Sequence, residues 1–217
     1  MVDLLPPWPQ FGVFLGAVIV LGVTPGPGVF YILATSIAQG ARSGLVSVLG
    51  IAAGTFVHVL LVVFGLTLLL ASSVVFFQFV KYAGAAYLIA LGVYLLIRRG
   101  VRQEARPAQS PRETWRVFMQ AVMVNVLNPK VGIFFLAFFP QFVDPARGDP
   151  AVQFFLLGAL LIGVILVTDT LFALAAGTVA GYLKAQGSRQ RWPQMVAGLT
   201  YIGLGIFSAT IDPPARE

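Results

Sequence analysis

From Ser43 to Val80 the chain carries no lysine, arginine, aspartate or glutamate. As one helix this stretch would be about 57 Å long, nearly twice the ~30 Å of bilayer hydrocarbon. It is too apolar to stand in water and too long to cross a membrane once, so it has to fold back. The best place to turn is Ala71-Ser72-Ser73, which predicts one span over about Gly44 to Leu70 and the next over about Phe76 to Ile97. The whole chain has the same character: 58% of its 217 residues are hydrophobic and 10% are charged. An all-α membrane protein of roughly six transmembrane helices, a single domain with short loops, fits this length.

The remaining spans follow from the apolar runs. The first is expected from about Trp8 or Phe11 to Gln39, with a turn over Gln39 to Gly44; the fourth from about Trp115 to Phe142; the fifth from about Ala151 to Tyr182; the sixth from Trp192 to Ile211. The net charge of +6 lies in short loops rather than on a face. Arg98, Arg99, Arg102, Arg106, Arg112 and Arg116 crowd one loop, where Pro107 and Pro111 prevent a continuous helix, and Lys184, Arg189 and Arg191 crowd another. This is a topology signal and not a nucleic-acid surface: the basic loops face the cytoplasm, which leaves both termini periplasmic. Asp3, Asp144, Asp149, Asp212 and Glu217 then all fall on the outer side. With no cysteine, thiol-disulfide relays and thiolate metal sites are excluded. Met1 to Gln10 lacks lysine and arginine, so no cleaved signal peptide is expected.

Within the first span lies Thr24-Pro25-Gly26-Pro27-Gly28. The prolines lack the amide hydrogens that would bond the carbonyls of Leu21 and Val23, and the glycines offer no steric resistance to unwinding. The helix must break there. In hydrocarbon a broken helix is tolerated only where the freed groups face protein or a water-filled cavity. The half-helix restarting near Gly28 turns its free N–H groups toward the break, an anion-attracting end near mid-bilayer of the kind transporters use. A second break is expected at Asn128-Pro129-Lys130 in the fourth span, where Pro129 frees the carbonyl of Asn125 and the amides of Asn125 and Asn128 can replace lost backbone bonds.

The breaks occur in corresponding places if three spans are repeated with opposite orientation. Ala83-Gly84-Ala85-Ala86-Tyr87 in the third span matches Ala197-Gly198-Leu199-Thr200-Tyr201 in the sixth. Repeat one would run over about residues 8–99, a cytoplasmic loop over 100–114 and repeat two over 115–211. Inverted repeats with paired broken helices point to a binding site at the midplane. Ordinary small-residue packing would give the same AGxxY pattern.

Three ionisable groups lie deep in spans: His58, Lys130 and Asp169. Lysine or aspartate at a helix centre costs about 2.5 to 3.5 kcal/mol, so pairing, water or a charged ligand must compensate. Lys130 beside a break reads as part of an anion site. Asp169 is either the ion-pair partner of Lys130 or a functional carboxylate. His58, in a glycine-rich span, is a packing hydrogen-bond donor or a proton-coupling group. The pairs Phe134-Phe135 and Phe138-Phe139 read as packing or lipid-facing residues.

The run Thr24 to Pro27, Gln39-Gly40-Ala41-Arg42-Ser43-Gly44, and Gly50 to His58 resemble the N-terminal signature of the lysine exporter and homoserine/threonine efflux (LysE/RhtB) translocators. Asn128 to Phe135 and Pro140 to Val143 resemble their second signature, and the similarity covers roughly residues 11 to 211. The resemblance implies a small bacterial inner-membrane carrier that exports amino acids by antiport with protons. Gly28 stands where that family often has asparagine.

The expected function is therefore export of an amino acid or close analogue, not enzymatic and without a cofactor. The zwitterion's carboxylate would meet Lys130 and the half-helix after Pro27, and its ammonium Asp169 and the carbonyls near Leu21 and Val23. Thr24, Pro25, Gly26, Pro27, Gly28, Asn128, Pro129, Lys130 and Asp169 form the expected substrate site, and Asp169 and His58 are the candidates for proton coupling. A homo-oligomer is compatible with this reading. A divalent-cation exporter is the alternative within transport, although one histidine and one deep acid make a poor ligand set. A membrane enzyme using Asp169 and His58 lacks a nucleophile or metal motif, and a structural subunit would not need paired breaks.

Overall fold

The structure, a computed structural model, describes residues 4–64, 74–97 and 110–185, with residues 195, 198, 199, 202, 203, 206 and 209. Helix α1 (Trp8–Val23) is followed by α2 (Pro27–Gln39), α3 (Ala41–Val63), α4 (Val74–Ile97), α5 (Pro111–Val126), the short α6 (Pro129–Ile133) and α7 (Pro150–Ala185). Among the described residues there is no strand. Helices α3 and α7 are each long and apolar enough to cross a membrane. Two further spans are broken: α1 and α2 meet at 45°, and α5 meets the Pro129–Phe142 segment at 48°. The breaks fall where the prolines do, because each proline removes a donor from the helical ladder.

Element ends differ from expectation where local chemistry was stronger than hydropathy. Gly40 has φ of 95°, a left-handed conformation that glycine adopts without penalty, and it makes the α2–α3 reversal almost alone. Helix α3 thus begins at Ala41, three residues before Gly44. Helix α5 begins at Pro111 rather than near Trp115, since Ser110 and Glu113 form a capping box: Glu113 N–H donates to Ser110 Oγ at 3.3 Å, and Ser110 N–H donates to Glu113 Oε2 at 3.2 Å. Arg116 reaches from α5 to Tyr94 on α4, donating to its hydroxyl at 3.0 Å. The turn expected at Ala71-Ser72-Ser73, the arginine-rich loop over 98–109 and most of the sixth span lie outside the described residues.

The core is built by α1, α2, α3, α5 and α7, which pack on one another through small residues. A Cβ on Gly50 would lie 2.5 Å from the Phe118 carbonyl oxygen, and one on Gly177 2.6 Å from Ala41 Cβ, so backbones approach closely at both crossings. Gly92 on α4 meets Gly198 in the same way, with 2.5 Å from the Cβ position to the Gly198 carbonyl oxygen. Large apolar side chains such as Val13, Val20, Leu49, Phe64, Val167 and Leu171 point outward. A surface of this kind is stable against lipid.

Beyond α6 the chain continues as a π turn (Phe134–Phe138) and a 3₁₀ turn (Phe139–Phe142). Their phenylalanines form a packed column with Phe14 of α1 and Phe154 of α7. Phe135 and Phe139 are 4.8 Å apart between ring centroids, Phe14 and Phe142 5.2 Å, and Phe139 and Phe154 5.7 Å. Phe135 and Phe139 are buried, so they are core residues and not lipid-facing ones. Above the column the buried Gln153 side chain clamps the next loop, donating to the Asp144 and Gly148 carbonyls and accepting from Asp144 N–H. Arg147 pairs with Asp144 at 3.6 Å and donates to the Leu5 carbonyl, tying the start of the chain to this end.

Candidate functional site

The two breaks face each other inside the bundle. At the first, α1 ends at Val23 and α2 restarts at Pro27. Thr24 Oγ1 donates to the Val20 carbonyl at 2.5 Å, which leaves the Leu21 and Thr24 carbonyls for a donor from elsewhere. Lys130 supplies it, its Nζ donating to both oxygens at 2.7 Å. The lysine stem crosses over Gly26, where a Cβ would lie 3.2 Å from Lys130 Cδ. An ammonium has three donors and no acceptor, so Lys130 keeps one N–H and its charge for another partner.

At the second break Asn128 caps α6, its Oδ1 accepting from Lys130 N–H at 3.1 Å. This cap sets the direction in which Lys130 leaves the backbone. The Asn125 carbonyl, deprived of its helical donor by Pro129, accepts from Asn128 N–H at 3.1 Å and faces His58 Nε2, also at 3.1 Å. A carbonyl only accepts, so Nε2 of His58 carries the proton. The imidazole also stacks on Phe135, with centroids 5.5 Å apart and planes 12° apart. His58 is thus fixed at the second break.

Asn125 serves a different purpose from the one its position suggested. Its Nδ2 donates outward to α3, to the Ile51 carbonyl and to Thr55 Oγ1, both at 2.9 Å. Thr55 completes the network by donating to the Ile51 carbonyl at 3.1 Å. The side chain therefore fastens α5 to α3, and His58 replaces the lost backbone bond. Ile51 and Thr55 were not among the expected site residues. The spacing Gly50-Ile51-Ala52-Ala53-Gly54 was the signal for them, since it lets α5 approach closely enough for Asn125 to reach the α3 backbone.

Asp169 is 3% exposed and continues the inward stripe Leu157, Leu161, Ile165 and Ala173, four residues apart along α7. Its neighbour Thr168 packs on Gly22, immediately before the first break: a Cβ there would lie 2.8 Å from Thr168 Oγ1. The carboxylate is within electrostatic reach of Lys130. The two do not touch, for the one ion pair among the described residues is that of Arg147 and Asp144. No hydrogen bond among the described residues falls on the Asp169 carboxylate. The Leu21 carbonyl, expected to meet a substrate ammonium, accepts from the ammonium of Lys130. Thr24 to Gly28, Asn128, Pro129 and Lys130 do come together, with Asp169 nearby on α7. His58 joins the second break only, through the Asn125 carbonyl. Among the described residues no group of three or more histidine, cysteine, aspartate or glutamate side chains is disposed to hold a metal ion.

Residues 19–210 match the family model described as LysE type translocator. The chain is 37% identical over 164 residues to a homoserine/homoserine lactone efflux protein of Salmonella typhimurium, covering 76% of this chain and 79% of that one. It is 30% identical over 210 residues to a leucine efflux protein of Klebsiella pneumoniae, covering 94% and 98%. An uncharacterized membrane protein of Pseudomonas aeruginosa is 32% identical over 200 residues, covering 90% and 92%. No solved structure matches the chain. With a family match spanning both helix breaks and relatives aligned over most of their own length, the chain belongs to the LysE type translocator family.

Proposed function

We propose that this protein exports an amino acid, or a close analogue, across the bacterial inner membrane in exchange for protons. The observation that carries the reading is the meeting of the two breaks around an anchored ammonium, with a buried carboxylate close by that has no ion-pair partner among the described residues. An amino-acid zwitterion has the complementary charges. Its carboxylate takes the third N–H of Lys130 and lies in the field of the α2 N-terminus. Its ammonium goes to Asp169 and to the carbonyls near Leu21 and Val23, each of which has two lone pairs. The names of the homoserine and leucine efflux relatives support the substrate class.

Proton coupling follows from the same carboxylate. Asp169 holds either a proton or the substrate ammonium, and a carrier that alternates between the two exchanges one for the other. The breaks in the first and fourth spans support two inverted halves, over about residues 8–99 and 115–211, moving around this midplane site. Proteoliposomes loaded with a panel of labelled amino acids test the reading. Efflux that is saturable and accelerated by an inward proton gradient is expected; absence of efflux for the whole panel refutes export. For orientation, a reporter fused after Glu217 is expected to be active only in the periplasm.

A further inference from the structure

Asn125 leaves one atom unused. The Ile51 carbonyl can only accept, so the amide group facing it is the NH₂, and both its hydrogens are spent, on Ile51 and on Thr55 Oγ1. The orientation of the amide is fixed, and its Oδ1 points the other way. That oxygen lies 3.7 Å from the Cβ position of Gly28, at the first turn of α2. No donor among the described residues reaches it, although Asn125 is only 2% exposed. The N–H groups of Gly28 and Val29, in the same first turn of a 13-residue helix, have no carbonyl partner among the described residues.

We infer that Asn125 is a specificity-determining residue whose Oδ1, facing the first turn of α2, accepts a hydrogen bond from a hydroxyl on the exported amino acid. This rests on the amino-acid export reading. The chemical class follows from what stands on each side. A second cation is disfavoured beside the positive end of α2. A group that only accepts leaves Oδ1 unmet, and a group that only donates leaves the helix N–H groups unmet. A hydroxyl donates to one and accepts from the other. The two glycines then divide the work: the Gly26 side, under the Lys130 stem, belongs to the substrate's carboxylate, and the Gly28 side, under Asn125, to its side chain. A methyl in place of the hydroxyl leaves Oδ1 without a donor, and sites built to hydrogen-bond a substrate hydroxyl discriminate strongly against analogues that lack it.

The test compares isosteric pairs in proteoliposomes: L-threonine against L-valine, and L-homoserine against L-norvaline. The wild type is expected to favour the hydroxylated member of at least one pair by about 10- to 100-fold in kcat/KM. Asn125→Ala is expected to bring that ratio to within about threefold by losing the hydroxylated substrate. Thr55→Val removes one of the two bonds that hold the amide and is expected to lower the ratio part of the way, which keeps the test open if Asn125→Ala fails to accumulate. Equal transport of both members of both pairs by the wild type overturns the inference and leaves amino-acid export standing. A full preference retained in Asn125→Ala, or in Thr55→Val where that variant alone accumulates, also overturns it. Transport of none of the four, nor of any other amino acid, overturns the export reading and this inference with it.

Discussion

At the first break the one local side chain that bonds backbone, Thr24, reaches back to Val20 and leaves the Leu21 and Thr24 carbonyls to Lys130, from the other break. At the second break three polar side chains act together: Asn128 caps α6, His58 meets the Asn125 carbonyl, and the Asn125 amide binds α3. One break thus contributes bare backbone and glycine surface, the other contributes side chains. The difference shows how two broken helices can be stable side by side in the membrane. Prolines and glycines free the backbone, and each break takes a donor from a different helix, Lys130 for the first and His58 for the second.

If this division holds, the residue that bridges the breaks is the one whose loss costs most. Lys130→Ala is expected to reduce export by at least about 100-fold, since it removes the charge proposed to meet the substrate's carboxylate and two bonds to the first break. The protein should still insert and be produced at near-normal levels, measured by immunoblot of membranes. Lys130→Arg should not restore transport. The planar guanidinium cannot replace a compact ammonium that fits over Gly26 with 3.2 Å between Cδ and the Cβ position. Transport at wild-type rate in Lys130→Ala would remove it from the site and leave the first break without its donor.

The next largest effect concerns the charge that belongs to neither break. Asp169→Asn is expected to eliminate uphill efflux driven by a pH gradient, while exchange between equal pools persists because no net proton movement is needed. His58→Gln should be much milder, within about threefold, because a glutamine amide can also donate to the Asn125 carbonyl. Gradient-driven efflux that survives in Asp169→Asn and stops in His58→Gln would transfer the coupling role to the second break.

The parts of this arrangement readable in the sequence are those set by backbone chemistry. Pro25, Pro27 and Pro129 remove donors whatever surrounds them, so both breaks could be located; the apolar runs likewise marked the first, second, third and fifth spans. Helix ends were displaced where a single residue decided them, Gly40 by its left-handed backbone and Ser110 by its capping box with Glu113. The partner of each freed carbonyl was not readable. That Lys130 meets Leu21, 109 positions away, and that His58 meets Asn125, 67 positions away, depends on how four helices pack. The phenylalanines could be assigned to packing or lipid but not between them, because the π turn after Ile133 shifts the face each ring presents.

A smaller effect separates close packing at the breaks from the open surface beside them. Gly50→Ala would place a methyl 2.5 Å from the Phe118 carbonyl oxygen, a backbone atom that cannot move aside. It should push α3 from α5, cost about 1 to 3 kcal/mol and lower the detergent-solubilised melting temperature by several degrees. The Asn125–Ile51 bond would lengthen with it.

The smallest effect is expected at the glycines nearest the breaks themselves, and it distinguishes them. A Cβ on Gly132, one turn beyond Pro129, meets nothing within 4 Å. Gly132→Ala should therefore leave transport unchanged and add a few tenths of a kcal/mol to about 1 kcal/mol of stability by favouring the helical backbone. A Cβ on Gly26 meets the lysine stem at 3.2 Å and its Nζ at 3.8 Å. That stem is flexible and can shift by a few tenths of an ångström, so Gly26→Ala should fold normally. The shift, though, moves the ammonium held 2.7 Å from two carbonyls, so the variant should transport with a raised KM and little change in melting temperature. Equal transport by Gly26→Ala and Gly132→Ala would mean that the position of Lys130 over the first break does not matter to the substrate.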